Sequence, residues 1–289
     1  MTIKEAILWG YEQLTPTSDS PRVDAELLLA HVLKQSTTFL FTHDKELLDP
    51  YSFFPIYWWS FKRLIHKRKQ GIPVAYLVGH KEFYMFDFKV NRSVLVPRPD
   101  TETLVECVIE YIQGFRNQDS GFSPLLIDVG TGSGCIPISI LKNVPEIHAV
   151  AIDVSRSALR VASSNVKKHH LQNRIELFRS NLFDSIDMDQ FLGHEVILTA
   201  NLPYLPDKME VKPELTFEPS ISLYGGNDGM DVYRRLMNQI EMLRPKAIFL
   251  ELYEWQIGLI QSQFPGYELK YTKTMSGDAR CLMLERKSN

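Results

Sequence analysis

The chain has 289 residues, 44% hydrophobic and 23% charged, enough to bury a sizeable core and fill two domains, since single cores stop growing near ~250 residues. Lys+Arg 32 against Asp+Glu 35 gives a net charge of -3, which excludes the overall basic footprint of a dedicated nucleic-acid binder and leaves room only for a local patch. Cys107, Cys135 and Cys281 are too scattered for a disulfide framework or a zinc cluster, and no apolar run approaches the ~18 residues of a membrane span, so a cytoplasmic protein with no membrane partner is expected.

From the N-terminus to about residue 75, apolar positions recur at helical spacing. Ile3, Ala6, Ile7, Tyr11 and Leu14 share one face, and Ser20 followed by Pro21 predicts the cap and first turn of a second helix through "RVDAELLLAHVLKQ". This part reads as a small helical bundle. Its last helix carries the basic run "KRLIHKRK" at 62–69, ordinarily a solvated face, with an interaction surface for acidic protein or RNA as the alternative. From Phe83 the pattern turns strand-like: "FYMFDFKV", then Asn91 and Arg92, then "SVLVP", which predicts a hairpin between two domains.

After "PRPDTE" at 97–102, where Asp100 is placed to cap a helix, strands alternate with helices. The expected strands are "LLIDV" at 125–129, "HAVAID" at 148–153, "RIELF" at 174–178, "VILTA" at 196–200 and "AIFLEL" at 247–252. Such alternation means parallel strands with crossover helices, a doubly wound sheet with its ligand at the carboxyl ends of the strands. The C-terminal segments "YELKYTKT" and "RCLMLER" are candidates for a closing antiparallel hairpin.

Three strand ends carry chemistry. "DVGTGSGC" at 128–135 spaces glycines so that the backbone turns tightly and approaches a ligand, with helix N–H groups next in line. It departs from the dinucleotide fingerprint at Cys135 and lacks the Lys-Ser/Thr of a phosphate-binding loop. Asp153, at the second strand end, suits the two hydroxyls of a ribose. Read singly, the glycines are a tight turn and Asp153 a helix cap; together, at adjacent strand ends, they point to a nucleoside-type ligand. At the fourth strand end "NLPY", residues 201–204, brings an amide and an aromatic ring to the same edge, with Pro203 holding Leu202 extended.

"DVGTGSG", "AID" and Asn-x-Pro-Tyr resemble the class I methyltransferases that use S-adenosylmethionine. "VPRPDTE" at 96–102, "EFY" at 82–84, "FEP" at 217–219, "GGNDGMDVYRR" at 225–235 and the helical N-terminal part narrow the resemblance to HemK-type peptide chain release factor glutamine methyltransferases. The resemblance implies an α/β fold: a Rossmann-like methyltransferase domain at 98–289, a β-hairpin linker at 76–97 and a small helical substrate-docking domain at 1–75. It implies S-adenosylmethionine as methyl donor, S-adenosylhomocysteine as product, no metal, and release factors as partners with no nucleic acid required. The cofactor is expected on Gly130, Thr131, Gly132, Ser133, Gly134, Asp153, Asn181, Leu182 and Asn201. The glutamine is expected against Asn201, Leu202, Pro203, Tyr204 and Glu218, with Asn201 and Tyr204 serving catalysis. Arg98, Asp100 and Glu102 either cap their helix or lie near the cofactor.

Two positions depart from the family pattern: Leu202 stands where proline is usual, and "SNLF" at 180–183 lacks the usual acidic residue for adenine. If only the carbonyl of residue 202 is used, proline there is expected to be tolerated. Methylation of adenine in DNA or of an RNA base is the alternative activity, and a non-enzymatic RNA- or ribosome-binding protein is the alternative of another class.

Overall fold

The computed structural model describes residues 1–49, 55–118, 123–261, 266–273 and 279–287. It divides into two compact units, Met1–His80 with Val211–Phe217, and Lys81–Glu210 with Glu218–Asn289.

The first unit holds five helices: α1 (Ile3–Leu14), α2 (Pro21–Leu33), α3 (Thr37–Thr42), α4 (Ile56–Lys69) and α5 (Val74–Val78). Helix α1 opens with a reciprocal capping box between Thr2 and Glu5, which satisfies two free amides at once. Its buried face is Ile3, Ala6, Gly10 and Leu14, whereas Tyr11 is exposed, so the face is rotated slightly from the expected one. Ser20 makes no capping bond to α2; its hydroxyl instead donates to Asp24 at 3.3 Å.

The basic run on α4 is a solvated face at Arg63, His66 and Lys69, all exposed, with Arg68 as the exception. Leu64, Ile65 and Arg68 are buried, and Lys62 lies 5.0 Å over the Trp59 ring. Arg68 donates from Nε to Asp24 at 2.7 Å and pairs through Nη2 with Glu214, so α2, α4 and the 211–217 segment share one ion-pair network. Its own side chain is 4% exposed and that of Asp24 is 8%.

The second unit opens with a hairpin, β1 (His80–Phe83) and β2 (Phe86–Lys89). The turn is Tyr84–Met85, both at positive φ, and not the expected Asn91–Arg92; residues 91–93 form a separate turn and no strand follows at 93–97. The hairpin is fastened by Asn165, whose Oδ1 accepts from the Lys89 amide and whose Nδ2 donates to the carbonyls of Lys89 and Ser133.

After α6 (Pro99–Gln118) come β3 (Leu125–Val129), α7 (Cys135–Asn143), β4 (His148–Asp153), α8 (Arg156–Lys168), β5 (Ile175–Arg179) and β6 (Val196–Ala200). Then follow α9 (Asp231–Ile240), β7 (Ala247–Tyr253), α10 (Glu254–Gln261), β8 (Tyr267–Lys273) and β9 (Ala279–Arg286). The sheet order is β5-β4-β3-β6-β7-β9-β8, parallel from β5 to β7, with β9 and β8 running back as the expected antiparallel hairpin. Both sheet faces are covered: Ile138, Leu141 and Phe249 pack with α6 residues on one side, and Ile127, Leu198, Tyr233 and Leu236 pack together on the other. Removing such side chains from water supplies ~1.5–3 kcal/mol each and explains why β3, β6 and β7 read as nearly continuous apolar runs.

Register sets the site. Val129 pairs with Ile152 and Ala200, and Ala200 pairs with Leu250, so Gly130, Asp153, Asn201 and Glu251 follow at the same level of four neighbouring strands. The chain passes from β3 to β4 on one side and later adds β6 on the other, the reversal that opens a crevice at the strand ends.

Candidate active site

At that crevice lies a cavity of about 320 Å³ bounded by the loops after β3, β4, β5 and β6 and by the segment 93–101. It is lined by Gly130, Thr131, Gly132, Ser133, Asp153, Asn181, Leu182, Asn201, Leu202 and Pro203. Of the expected residues, Gly134, Tyr204 and Glu218 stand outside the lining.

The loop after β3 closes on β4 through the Gly130 and Thr131 amides, both donating to the Ile152 carbonyl at 2.8 and 3.0 Å. Gly130 has φ +77, a left-handed backbone that favours glycine, and a Cβ there would stand 2.8 Å from Leu202 Cδ2, so any other residue would be strained and would push the Leu202 side chain aside. Asp153 Oδ2 accepts from the Gly132 amide at 2.9 Å and Oδ1 from the Ser155 amide at 2.8 Å. Burial raises its pKa, and these two amides oppose the rise. Each carboxylate oxygen keeps a second lone pair, which suits a ribose hydroxyl at the cavity edge. The glycine approach, the carboxylate and the cavity's size fit a nucleoside-bearing cofactor such as S-adenosylmethionine. Beneath the loop, burial pushes Asp128 up to about 6, partly offset by the hydroxyls of Thr131 and Thr199, the latter donating to Oδ1 at 2.8 Å.

Asn201 begins the loop after β6, and its Nδ2 donates to Thr101 Oγ1 at 3.1 Å. The Leu202 amide donates to Tyr233 Oη at 3.1 Å, and that hydroxyl donates to the Glu251 carbonyl at 2.7 Å. The Tyr204 hydroxyl donates to Glu251 Oε1 at 3.3 Å, its ring stands edge-on to Tyr253, and its carbonyl accepts from Gln256 Nε2 at 2.8 Å. Gly229 passes so close to this carbonyl that a Cβ would stand 2.0 Å from it, which accounts for the glycine in "GGNDG". Burial, then the Glu251 charge, hold the Tyr204 phenol well above its ordinary pKa, so the ring acts as a neutral group.

Glu218 is buried, accepting from the Val96 amide at 3.0 Å and pairing with Arg98. It fixes the segment that carries Arg98 into the cavity lining. Glu102 Oε1 accepts from the Tyr84 amide at 2.8 Å, and Asp100 lies in the first turn of α6, which begins at Pro99.

Sequence reasoning missed Thr101, Tyr233, Glu251 and Gln256. Glu251 is 2% exposed; burial first, with the Asp100 charge adding to it, raises its pKa to about 7, while Thr101, Tyr204 and Asn201 side chains pull the other way. Its Oε2 makes no hydrogen bond among the described residues. The only legible signal was a charged residue inside the apolar run "AIFLEL", the kind of site where a buried carboxylate has a task.

Residues 5–79 match the family model "PrmC N-terminal domain", and residues 112–204 match "Methyltransferase small domain". A release factor glutamine methyltransferase of Rhodopirellula baltica is 35% identical over 278 residues, covering 93% of this chain and 90% of that protein. The chain belongs to the release factor glutamine methyltransferase family. Another member, from Bacillus anthracis, is 31% identical and covers 99% of both chains. In fold, this family member also resembles the N-terminal domain of human METTL16 solved in complex with SAH, with TM-score 0.51 and 14% identity over 70% of this chain and 76% of that one.

Proposed function

We propose that the chain methylates the side-chain amide of the glutamine in the Gly-Gly-Gln motif of peptide chain release factors, in the cytoplasm where translation ends and without nucleic acid. The observation that carries this reading is Asn201 at the end of β6, bordering the cavity, in a family whose members are release factor glutamine methyltransferases. S-adenosylmethionine supplies an electrophilic methyl group on a sulfonium, and S-adenosylhomocysteine is the product.

An amide nitrogen is a poor nucleophile because its lone pair is delocalised into the carbonyl. Asn201 Oδ1 and the Leu202 carbonyl each accept one hydrogen of the substrate amide, holding its nitrogen in line for transfer. The same acceptors stabilise the positive charge that develops on nitrogen, and the excess proton leaves after transfer. Pro203 keeps Leu202 extended so that its carbonyl is presented, and Tyr204 lends the loop its rigidity through Glu251 and Gln256. Asp153 and the 130–134 loop hold the cofactor, Asn181 and Leu182 border its base, and Glu218 keeps Arg98 at the rim beside the substrate. The helical first unit, with its exposed Trp59 and the Lys62 ammonium over that ring, docks the release factor.

Mass spectrometry of a release factor incubated with this protein and S-adenosylmethionine tests the reaction; one methyl on the glutamine is expected. Asn201→Ala should slow single-turnover transfer by ~100-fold or more while leaving the fold and most of the cofactor affinity intact. Methylation of adenine-containing DNA, offered in parallel, with an unmodified glutamine would move the assignment to the nucleobase enzymes. Near-normal glutamine methylation by Asn201→Ala would remove Asn201 from the mechanism.

A further inference from the structure

Asn165, near the end of α8, is 0% exposed, so its side-chain oxygen and both amide hydrogens must find partners inside the protein. All three do. Oδ1 accepts from the Lys89 amide at 2.8 Å, and Nδ2 donates to the carbonyls of Lys89 at 3.0 Å and Ser133 at 2.8 Å. A backbone N–H can only donate, so Lys89 decides which end of the side-chain amide is oxygen, and both Nδ2 hydrogens are thereby aimed at carbonyls. Reversal would set donor against donor and acceptor against acceptor.

The two carbonyls belong to different elements. Lys89 ends β2, and the Asn165 amide pairs with both its N–H and its C=O as a neighbouring strand would. Ser133 lines the cofactor cavity, whereas neither Asn165 nor Lys89 does. The peptide between Ser133 and Gly134 is held on both sides, its carbonyl by Asn165 and its N–H by the Thr131 carbonyl at 2.8 Å. Gly134 follows at φ +79 and Cys135 begins α7, so this one peptide sets how the loop enters the helix. The hairpin is held at its turn as well, where the Tyr84 amide donates to Glu102, the residue after Thr101 of the cavity lining. A hairpin outside the cavity thus bears on two of its walls.

We infer that Asn165 is a positioning residue for cofactor binding, and that the edge of the hairpin is the template by which it fixes the Ser133 peptide. The Lys89 N–H orients the side-chain amide, and the amide then holds the Ser133 carbonyl. Without that N–H the asparagine loses its reference and the buried carbonyl its assured donor. Preorganisation of this kind raises affinity, because it removes ordering that the ligand would otherwise have to impose. Affinity for the cofactor therefore depends on a backbone amide in a strand that lines no part of the cavity.

The inference rests on the placement of S-adenosylmethionine against the 130–134 loop and Asp153, and the experiment separates the two. Calorimetry with S-adenosylhomocysteine is run on wild type, Asn165→Leu, Lys89→Pro, Lys89→Ala and Asp153→Ala, each well below its unfolding midpoint. Asn165→Leu removes the donor and should weaken binding by ~10-fold, the scale of one net hydrogen bond. Lys89→Pro removes the reference N–H from a residue whose side chain is exposed, and should weaken binding in the same direction from outside the cavity. Lys89→Ala keeps the N–H and should bind as wild type does. In Asn165→Leu the KM for S-adenosylmethionine should rise, while kcat at saturating cofactor stays near wild type. A purely structural asparagine would lower the unfolding midpoint and leave the affinity of the folded protein unchanged. That result overturns the inference, as does wild-type affinity in Lys89→Pro. Unchanged affinity in Asp153→Ala would instead sink the cofactor placement beneath it. Should Asn165→Leu fail to fold, Lys89→Pro, which alters no buried side chain, decides.

Discussion

The backbone amide of Leu202 donates to the hydroxyl of Tyr233 at 3.1 Å, although the family pattern has proline at this position, which has no amide hydrogen to give. Tyr233 is buried and passes its own hydrogen to the Glu251 carbonyl, so α9, the 201–204 loop and β7 meet at one hydroxyl. The expectation that Leu202→Pro is harmless assumed that only the carbonyl of this residue is used, and the amide bond corrects it. Leu202→Pro should lower stability by about 1 kcal/mol, the usual net worth of such a bond. Tyr233→Phe should cost ~1–3 kcal/mol in the wild-type chain, because it strands both the amide and the carbonyl, and less when residue 202 is proline. Denaturant unfolding of the two single variants and the double variant reads the coupling; strict additivity would contradict the shared bond.

Asp153→Ala should weaken S-adenosylmethionine by ~1–3 kcal/mol, the usual loss for a hydrogen bond to a charged group. It should also loosen the 130–134 loop, since the carboxylate holds the Gly132 and Ser155 amides. Calorimetry showing unchanged affinity would remove Asp153 from the cofactor site.

Gly130→Ala combines a left-handed backbone, strained for alanine by ~1–3 kcal/mol, with a Cβ only 2.8 Å from Leu202 Cδ2. The expected outcome is a lower unfolding midpoint together with weaker cofactor binding, because the side chain that must yield, Leu202, lines the same cavity. Binding and stability both at wild-type level would show that the loop relaxes freely.

The strand ends were legible because each carries a residue whose chemistry is local: glycine at Gly130, carboxylate at Asp153, amide and proline at Asn201 and Pro203. Their supports were not. Thr101 and Glu251 meet Asn201 from far along the chain, and nothing in either neighbourhood signals it: parallel register brings Glu251 to its level, and the start of α6 brings Thr101 within hydrogen-bond reach. The hairpin turn was misplaced for a different reason. Asn91 and Arg92 have ordinary turn chemistry, whereas the real turn puts Tyr84 and Met85 at positive φ, where aspartate, asparagine or glycine is the usual sign. Likewise a run of basic residues on α4 does not reveal that Arg68 faces Asp24.

Glu251 gives stability a pH dependence of determinate sign. Its carboxyl is held up to about 7 in the folded chain and returns to the ordinary range near ~4.3 on unfolding. Between those values the folded state binds the extra proton, so this residue's contribution is full below the lower value and is lost as pH rises through about 7. Glu251→Gln removes that loss, and its stability relative to wild type should improve by up to about 3 kcal/mol between roughly pH 5 and pH 8. Urea midpoints at the two pH values measure it. A variant uniformly less stable at both would mean that the carboxylate is solvated in the folded state.

The Arg68 network predicts the opposite of surface charge behaviour. Arg68→Met leaves the carboxylate of Asp24, 8% exposed, without its cation and should destabilise the helical unit by about 3–5 kcal/mol. Thermal unfolding with little dependence on salt is expected, because a buried pair is poorly screened. A loss under about 1 kcal/mol would place Arg68 among ordinary exposed ion pairs.

Since Val211–Phe217 is counted with the helical unit, the polypeptide crosses from one unit to the other at 80/81, at 210/211 and again at 217/218. The folding unit is thus discontinuous in the gene, and a boundary drawn only near residue 75 or 80 cuts through it. A chimera that exchanges residues 1–80 between relatives would set a foreign Arg68 environment against the resident Glu214 and Phe217, so the heptapeptide has to travel with its helices. For the same reason an N-terminal deletion is not a clean removal of the helical unit: it leaves Glu214 without Arg68. Inheritance by recombination is correspondingly constrained, because two distant stretches of sequence must be acquired together to yield a working chain.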